Sequence, residues 1–406
     1  MILSVLKDHG EEAYAVGGCV RDALLGRKPS DWDITTSASP ETVRACFRRT
    51  IATGIEHGTV TVMIRGTGYE VTTYRIDGAY GDHRHPDSVT ITPDLSEDLK
   101  RRDFTVNAMA YTEETGVVDL FHGLEDLEQG IIRAVGDPYE RFSEDALRIV
   151  RSVRFAAKLG FRIDPETYRA AEALADTVQD ISRERVREEL LKILESPAPE
   201  FVNLLRQMGI LQPFYPEYGT YAAYRTKLLS SVPRERIFRL SAFFAVPPGT
   251  GEGVKAEAAA GRVMDHLKFD RDTRNKVLVM LRFGEEPLTA DCPVLRRLLS
   301  RYGTERIREL VSFHGYAREN ADPALYQAVE DGLDRIEESG ECISLKMLAV
   351  TGDDLKALGF PPGRSMGAVL EALLDRVLET PSENTKERLL AAARELADRE
   401  GICLKP

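Results

Sequence analysis

The chain has 406 residues, 43% of them apolar, and a formal net charge of −12. That length exceeds what one hydrophobic core usually supports, so two or more packed modules are expected, and the acidic balance excludes a protein that coats nucleic acid by bulk attraction. No apolar run is long enough to span a bilayer, the opening MILSVLKDHGEEAYAV has acids where a signal peptide needs apolar residues, and Cys19, Cys46, Cys292, Cys342 and Cys403 form no CxxC pair, which points to a cytoplasmic protein with reduced thiols and no membrane association.

Residues 1–136 alternate between short strand-like and helix-like pieces. AYAV (13–16) reads as a strand and runs into GGCVRDALLG, a glycine turn followed by a helix. Paired glycines let backbone approach a ligand closely, and the helix start offers free N–H groups and a positive dipole end to phosphate. Gly17 and Gly18 with Arg21 in the first turn thus form a candidate triphosphate cradle. WDITT (32–36) is the next strand; Asp31 and Asp33 flank Trp32, and a two-residue period places both carboxylates on one sheet face. Adjacent carboxylates are hard-oxygen ligands suited to Mg²⁺ that also bridges substrate phosphates.

PETVRACFRR reads as a helix, TVTVMI (59–64) and YEVTTYR (69–75) as strands. The segment DGAYGDHRHPD (77–87) that follows lacks a pattern; its His83, Arg84 and His85, like His57 and His122, read as solvated or packing residues rather than metal ligands. In RRDFTVNAMAY, Asp103 and Asn107 are four apart and share a face if the segment is helical.

From Asp137 onward the periodicity is helical, broken at Gly160, 196–200, 246–253 and 359–365. Its first part is locally basic, with six basic residues against two acidic ones from Arg141 to Arg162. EDALRIVRSVRF reads as one helix with Ser143 as N-cap, on which Asp145 and Arg148 project side by side. Cytosine and adenine both present an exocyclic amino donor beside a ring-nitrogen acceptor, whereas uracil and guanine present a carbonyl beside an N–H. A carboxylate that accepts from the amino group and a guanidinium that donates to the ring nitrogen therefore select C and A.

GGCVRDALLG, DWDIT, YEVTTYR, RRDFTVNAMAY, EDALRIVRSVRF and RERVREEL, in this order and spacing, resemble the class II nucleotidyltransferases of the polymerase-β superfamily, a group containing bacterial CCA-adding enzymes, CC- and A-adding enzymes and bacterial poly(A) polymerases. The resemblance spans about residues 13–195 and continues more weakly in GDDLKALGFPPGRSMGAVLEALLDRVLE. It implies an α+β fold: a polymerase-β-type head of mixed sheet with helices (1–136), then an all-α neck (137–197), body (198–290) and tRNA-binding tail (291–406). It implies catalytic, metal-holding Asp31 and Asp33, with Glu70 as a third carboxylate. By the same resemblance Arg102 contacts the nucleotide, Asp103 accepts from the ribose hydroxyl, Asn107 lines the same site, Asp145 and Arg148 read the base, and Arg151 and Arg154 lie near the triphosphate or the base.

The implied activity is addition of C, C and A to the 3′ end of tRNA from CTP and ATP, with Mg²⁺. The loop after YEVTTYR, not shortened, favours the full reaction, and TIATGIEHGTVTVM lacks the basic signature of poly(A) polymerases. CC-only, A-only and poly(A) synthesis stay open. From other classes, a non-catalytic tRNA-binding protein is disfavoured by the intact DWD, and a nucleotide hydrolase by the lack of a water-activating base. Lys227, Arg234 and Arg236 are candidate tRNA contacts beyond residue 200.

Overall fold

The computed structural model describes residues 1–55, 58–78 and 89–400, with Ile402 and Leu404; His57 and the His83, Arg84, His85 loop that bore on full or partial addition lie outside the described residues. The chain divides into two compact units, Met1–Val246 with Lys255–Leu278, and Pro247–Val254 with Val279–Pro406.

In chain order the first unit opens with α1 (Ile2–Asp8), β1 (Ala13–Val16), α2 (Gly18–Leu24), β2 (Asp33–Thr36), α3 (Pro40–Cys46), β3 (Thr50–Gly54), β4 (Thr59–Ile64) and β5 (Thr67–Thr73). Then come the short strands β6 (Arg75–Asp77) and β7 (Val89–Ile91), α4 (Leu95–Lys100), β8 (Met109–Thr112), β9 (Gly116–Asp119), α5 (Gly123–Gln129) and β10 (Ile131–Ile132). The helices α6 (Pro138–Glu144) and α7 (Leu147–Leu159), the strand β11 (Arg162–Ile163), and the helices α8 (Pro165–Ala173) and α9 (Arg183–Leu194) follow.

Seven strands form one mixed sheet in the order β3-β4-β5-β2-β1-β8-β9. Every neighbouring pair is antiparallel except β2 and β5, which run parallel with Asp33 opposite Glu70 and Ile34 opposite Val71. Strand alternation sorts the side chains between two faces. Ala13, Ile34, Val60, Val62 and Val71 join Ile2 and Leu6 of α1 and Val43 of α3 in one core. Val16 and Tyr14, of opposite parity to Ala13, pack with Leu99 of α4 and Ala110 of β8. Thr35 points to the same side as α4, where its hydroxyl donates to the fully buried Asp98 at 2.9 Å. By the same parity Asp33 and Glu70 lie on the α4 side, at the end of the sheet where β1 leaves, since Val16 is the register partner of Asp33.

The RRDFTVNAMAY segment, whose helical form was the condition for Asp103 and Asn107 to share a face, holds only a one-turn 3₁₀ helix at Thr105–Asn107 before β8. One reading of local structure is corrected. EDALRIVRSVRF is not one helix capped by Ser143. Ser143 and Glu144 end α6, which starts from the Asp137 cap with Pro138 at its first position, and Asp145 sits in extended conformation (φ −137°, ψ 100°) between α6 and α7.

The second unit is helical and is built around Leu355, Phe360, Val369, Leu373, Val377, Leu389 and Ala393. His314, on helix Thr304–Tyr316, is 3% exposed. Its Nε2 lies 3.0 Å from the Glu286 carbonyl, which can only accept, so Nε2 carries the proton and Nδ1 accepts from the Tyr326 hydroxyl at 2.7 Å. Burial, reinforced by Arg318 and opposed by the Glu286 carbonyl, pushes the imidazole down from 6.5 to about 4. Above the unfolded value the ring is neutral in both states. As pH falls below it the unfolded chain binds a proton that the fold refuses, so stability is lost down to about the folded value, in total roughly 3 kcal/mol. Denaturant titrations at about pH 7 and about pH 4 are expected to show that loss as the excess of wild type over His314→Gln; equal losses would remove His314 from the account.

Candidate active site

The turn between β1 and α2 is built on Gly17, at φ 80° and ψ −130°, a backbone conformation that side-chain-bearing residues rarely adopt. A Cβ there would also lie 2.9 Å from Nη1 of Arg102, so the glycine lets that guanidinium lie against the backbone. Gly18 begins α2, and Arg21, only 2% exposed, reaches back under the turn.

From Arg21 a chain of polar contacts crosses the site. Its Nε donates to Asp22 at 2.8 Å and its Nη1 to the Asn107 carbonyl oxygen. The Asn107 amide donates to Oδ1 of Asp103 at 3.0 Å, and Arg151 donates through Nε to Oδ2 of Asp103 at 2.9 Å. Asp103 and Asn107 therefore do share a contact, through the 3₁₀ turn rather than a helical face. Burial alone would push the Asp103 carboxyl up; Arg151 and the Asn107 amide outweigh it and hold it down at about 2. Arg154 pairs with the buried Glu189 of α9 at 2.6 Å. Arg102 is steadied from below by Asp98, whose carboxylate lies 3.4 Å from Nη2 and also takes two bonds from Arg101 at 2.7 and 3.0 Å. Asp98 went unread in the sequence although its spacing, three and four residues before two arginines in a helical segment, was a usable signal.

The carboxylates stand on the rim of this basic floor. Asp33 heads β2 beside Glu70 of β5. Burial by surrounding atoms pushes its carboxyl up even though one side is open to solvent; Glu70 and, less, Asp31 act the same way, while Arg102 pulls down. Asp31 precedes the strand, exposed, and accepts from the Ser30 hydroxyl, so the shared sheet face expected for the two carboxylates is not set by strand alternation. Among the described residues no three Asp, Glu, His or Cys side chains converge tightly enough to hold an ion by themselves.

Asp145 and Arg148 lie at the α6–α7 break, where the Arg148 N–H donates to the Asp145 carbonyl at 2.9 Å while their side chains bond to other residues. One oxygen of Asp145 caps Leu147 N–H at 3.0 Å and the other accepts from Arg185 of α9 at 3.1 Å. Arg148, 8% exposed, donates to Glu144 at 2.5 Å and to the carbonyls of Arg141 (2.9 Å) and Arg101 (3.0 Å). The two side chains are thus fixed by α9 and by the end of α6, and Asp145 precedes α7 rather than standing on it with Arg148. Arg185 and Glu189 sit in the RERVREEL run, whose reach across to α7 is a tertiary fact without a local signal.

Residues 13–133 match the Poly A polymerase head domain family, residues 160–221 the family described as the RNA and SrmB-binding site of polymerase A, and residues 254–393 the tRNA nucleotidyltransferase domain 2 family. The class that fold and site define is therefore a nucleotidyltransferase: a polymerase-β-type head followed by helical segments. The CCA-adding enzyme of Limosilactobacillus fermentum is 39% identical over 409 residues, covering 97% of this chain and 96% of that one. That of Anoxybacillus flavithermus is 37% identical over 411 residues, covering 99% and 98%. The crystal structure of the Bacillus stearothermophilus CCA-adding enzyme in complex with CTP superimposes with a TM-score of 0.80 at 33% identity, covering 98% of this chain and 97% of that one. The Thermotoga maritima CCA-adding enzyme complexed with tRNA shares the fold at 22% identity and a TM-score of 0.63, covering 97% and 94%. The chain belongs to the CCA-adding enzyme family.

Membership implies a divalent metal. The residues fit one: hard carboxylate oxygens on Asp31 and Asp33, and a carboxyl whose neighbours Glu70 and Asp31 add repulsion that a cation would relieve. Among the described residues no helix is long and apolar enough to cross a membrane.

Proposed function

We propose that this nucleotidyltransferase adds C, C and A to the 3′ end of tRNA from CTP and ATP, in the cytoplasm, with Mg²⁺ held by Asp31 and Asp33. The observation that carries the reading is the placement of Asp33, in register with Glu70, at the sheet end where the Gly17 turn opens over Arg21 and Arg102. Full-length relatives named CCA-adding enzymes support it.

The tRNA 3′-hydroxyl attacks the α-phosphate of the incoming nucleotide and pyrophosphate leaves, so no side-chain nucleophile is required. Bound Mg²⁺ would supply a lowered pKa for that hydroxyl and charge neutralisation for the departing pyrophosphate. Gly17 and Gly18 admit the triphosphate to the backbone, and Arg21, Arg102, Arg151 and Arg154 oppose its charge. Glu70 orients the rim electrostatically beside Asp33. Asp103 already accepts from Arg151 and Asn107, and a carboxylate has lone pairs left for a ribose hydroxyl. Asp145 accepts a hydrogen bond from the amino group of C or A in exchange for the one from Arg185, and Arg148 donates to the ring nitrogen. The helical segments 198–290 and 291–406 engage tRNA; Arg234 and Arg236, which now bond to Glu195, remain candidates there.

Purified protein with Mg²⁺ should be given tRNA transcripts ending at the discriminator, after C, or after CC, with each of the four nucleotides separately. Two additions with CTP, one more with ATP, and none with UTP or GTP are expected. Long A tails, or failure at the last A, would replace the reading by poly(A) or CC addition.

A further inference from the structure

Phe155, on α7, has three guanidinium groups around its ring: Arg154 at 3.9 Å from the centroid, and Arg21 and Arg151 at 5.3 Å each. The ring is 5% exposed and is fixed by an edge contact to Phe104, centroids 5.6 Å apart at 74°. Three like charges so close repel one another. Each pairs with a carboxylate, Asp22 on α2 for Arg21, Asp103 in the loop after α4 for Arg151 and Glu189 on α9 for Arg154. What the three guanidiniums share is the ring, whose negative π faces attract cations and whose rigid outline spaces them. Phe104 follows Asp103 directly, so one turn of chain holds Arg151 through its carboxylate and the platform beneath it through an aromatic edge.

We propose that Phe155 is a positioning residue that sets the spacing of Arg21, Arg151 and Arg154 for the triphosphate of the incoming nucleotide. The inference rests on the reading of this cradle as the nucleotide site. A leucine would fill much of the space but offer no π face, so the arginines would spread along their carboxylates and meet a polyphosphate with poorer geometry. A tyrosine keeps the face.

The test uses the full chain as wild type, Phe155→Leu and Phe155→Tyr, with steady-state incorporation of CTP and ATP into tRNA transcripts, calorimetric binding of inorganic tripolyphosphate, and thermal melting. Phe155→Leu is expected to raise KM for both nucleotides about tenfold, with kcat within about twofold, and to weaken tripolyphosphate by a similar factor. Phe155→Tyr is expected to restore both. A folded Leu variant with wild-type KM and tripolyphosphate affinity, or equal impairment of the Leu and Tyr variants, overturns the proposal. If Leu does not fold, Phe155→Met, flexible and of similar volume, is read by the same criteria. Should wild type fail to extend tRNA yet bind tripolyphosphate in a Phe155-dependent way, the CCA reading falls and this inference stands.

Discussion

Asp33→Asn is expected to lower nucleotide incorporation by at least about a thousandfold while leaving the melting temperature unchanged or slightly higher. The two halves of that result have separate causes. The amide keeps the shape of the carboxylate but cannot serve as a charged oxygen ligand, so the attacking hydroxyl and the leaving pyrophosphate lose their common electrostatic support. Stability should not suffer, because in the fold this carboxyl is pushed up by burial and by Glu70 and Asp31, which outweigh the pull of Arg102. A group whose charged form the fold disfavours contributes no stability as an anion at neutral pH. A variant with both activity and melting temperature reduced would instead point to a structural Asp33.

Asp103→Ala should behave in the opposite way, losing both. Its carboxylate is 8% exposed and accepts from the Phe104 N–H at 2.9 Å, the Asn107 amide at 3.0 Å and Arg151. Removing one partner of a buried pair is strongly destabilising. Since a third of the Arg151 side chain is exposed (33%) and water can rehydrate it, the cost is discounted to about 2 kcal/mol, read by denaturant titration. KM for both nucleotides should rise at least about tenfold, because Asn107 and through it Arg21 lose their anchor. The folded carboxyl sits at about 2 against 3.8 for the free group, so its stabilisation is present above the higher value and lost as pH falls through the lower one. Unchanged stability in Asp103→Ala would contradict the network.

How far these residues were legible in the sequence depended on whether their geometry is local. The strands Ala13–Val16 and Thr59–Ile64 begin and end where alternation and β-branching placed them: Thr59–Ile64 buries Val60 and Val62 on one face, and Ala13–Val16, buried on both faces, is ended by the glycine turn. The Gly17 turn was legible because a strand running into paired glycines has few other uses. Met109–Thr112 was not, since the apolar run after Asn107 fits helix and strand equally and only pairing with Ala15 and Val16 decides it. The break at Asp145 was misread for a physical reason: its side chain bonds the Leu147 N–H two residues on, a local alternative to helical pairing that short acidic side chains favour. Arg185, Glu189 and Phe155 acquire their roles only when α7, α9 and the Arg21 turn come together, and no spacing in the chain announces that.

Central to the proposed function is that Asp31 and Asp33 gather a divalent ion beside a bound triphosphate. It is tested most directly by electron paramagnetic resonance of Mn²⁺ added with ATP to wild type and to the Asp31→Ala/Asp33→Ala double variant. Wild type is expected to immobilise Mn²⁺ in an ATP-dependent manner and the folded double variant to leave it as the Mn²⁺–ATP complex seen without protein. Equal immobilisation by both would contradict the assignment of the metal to these two carboxylates.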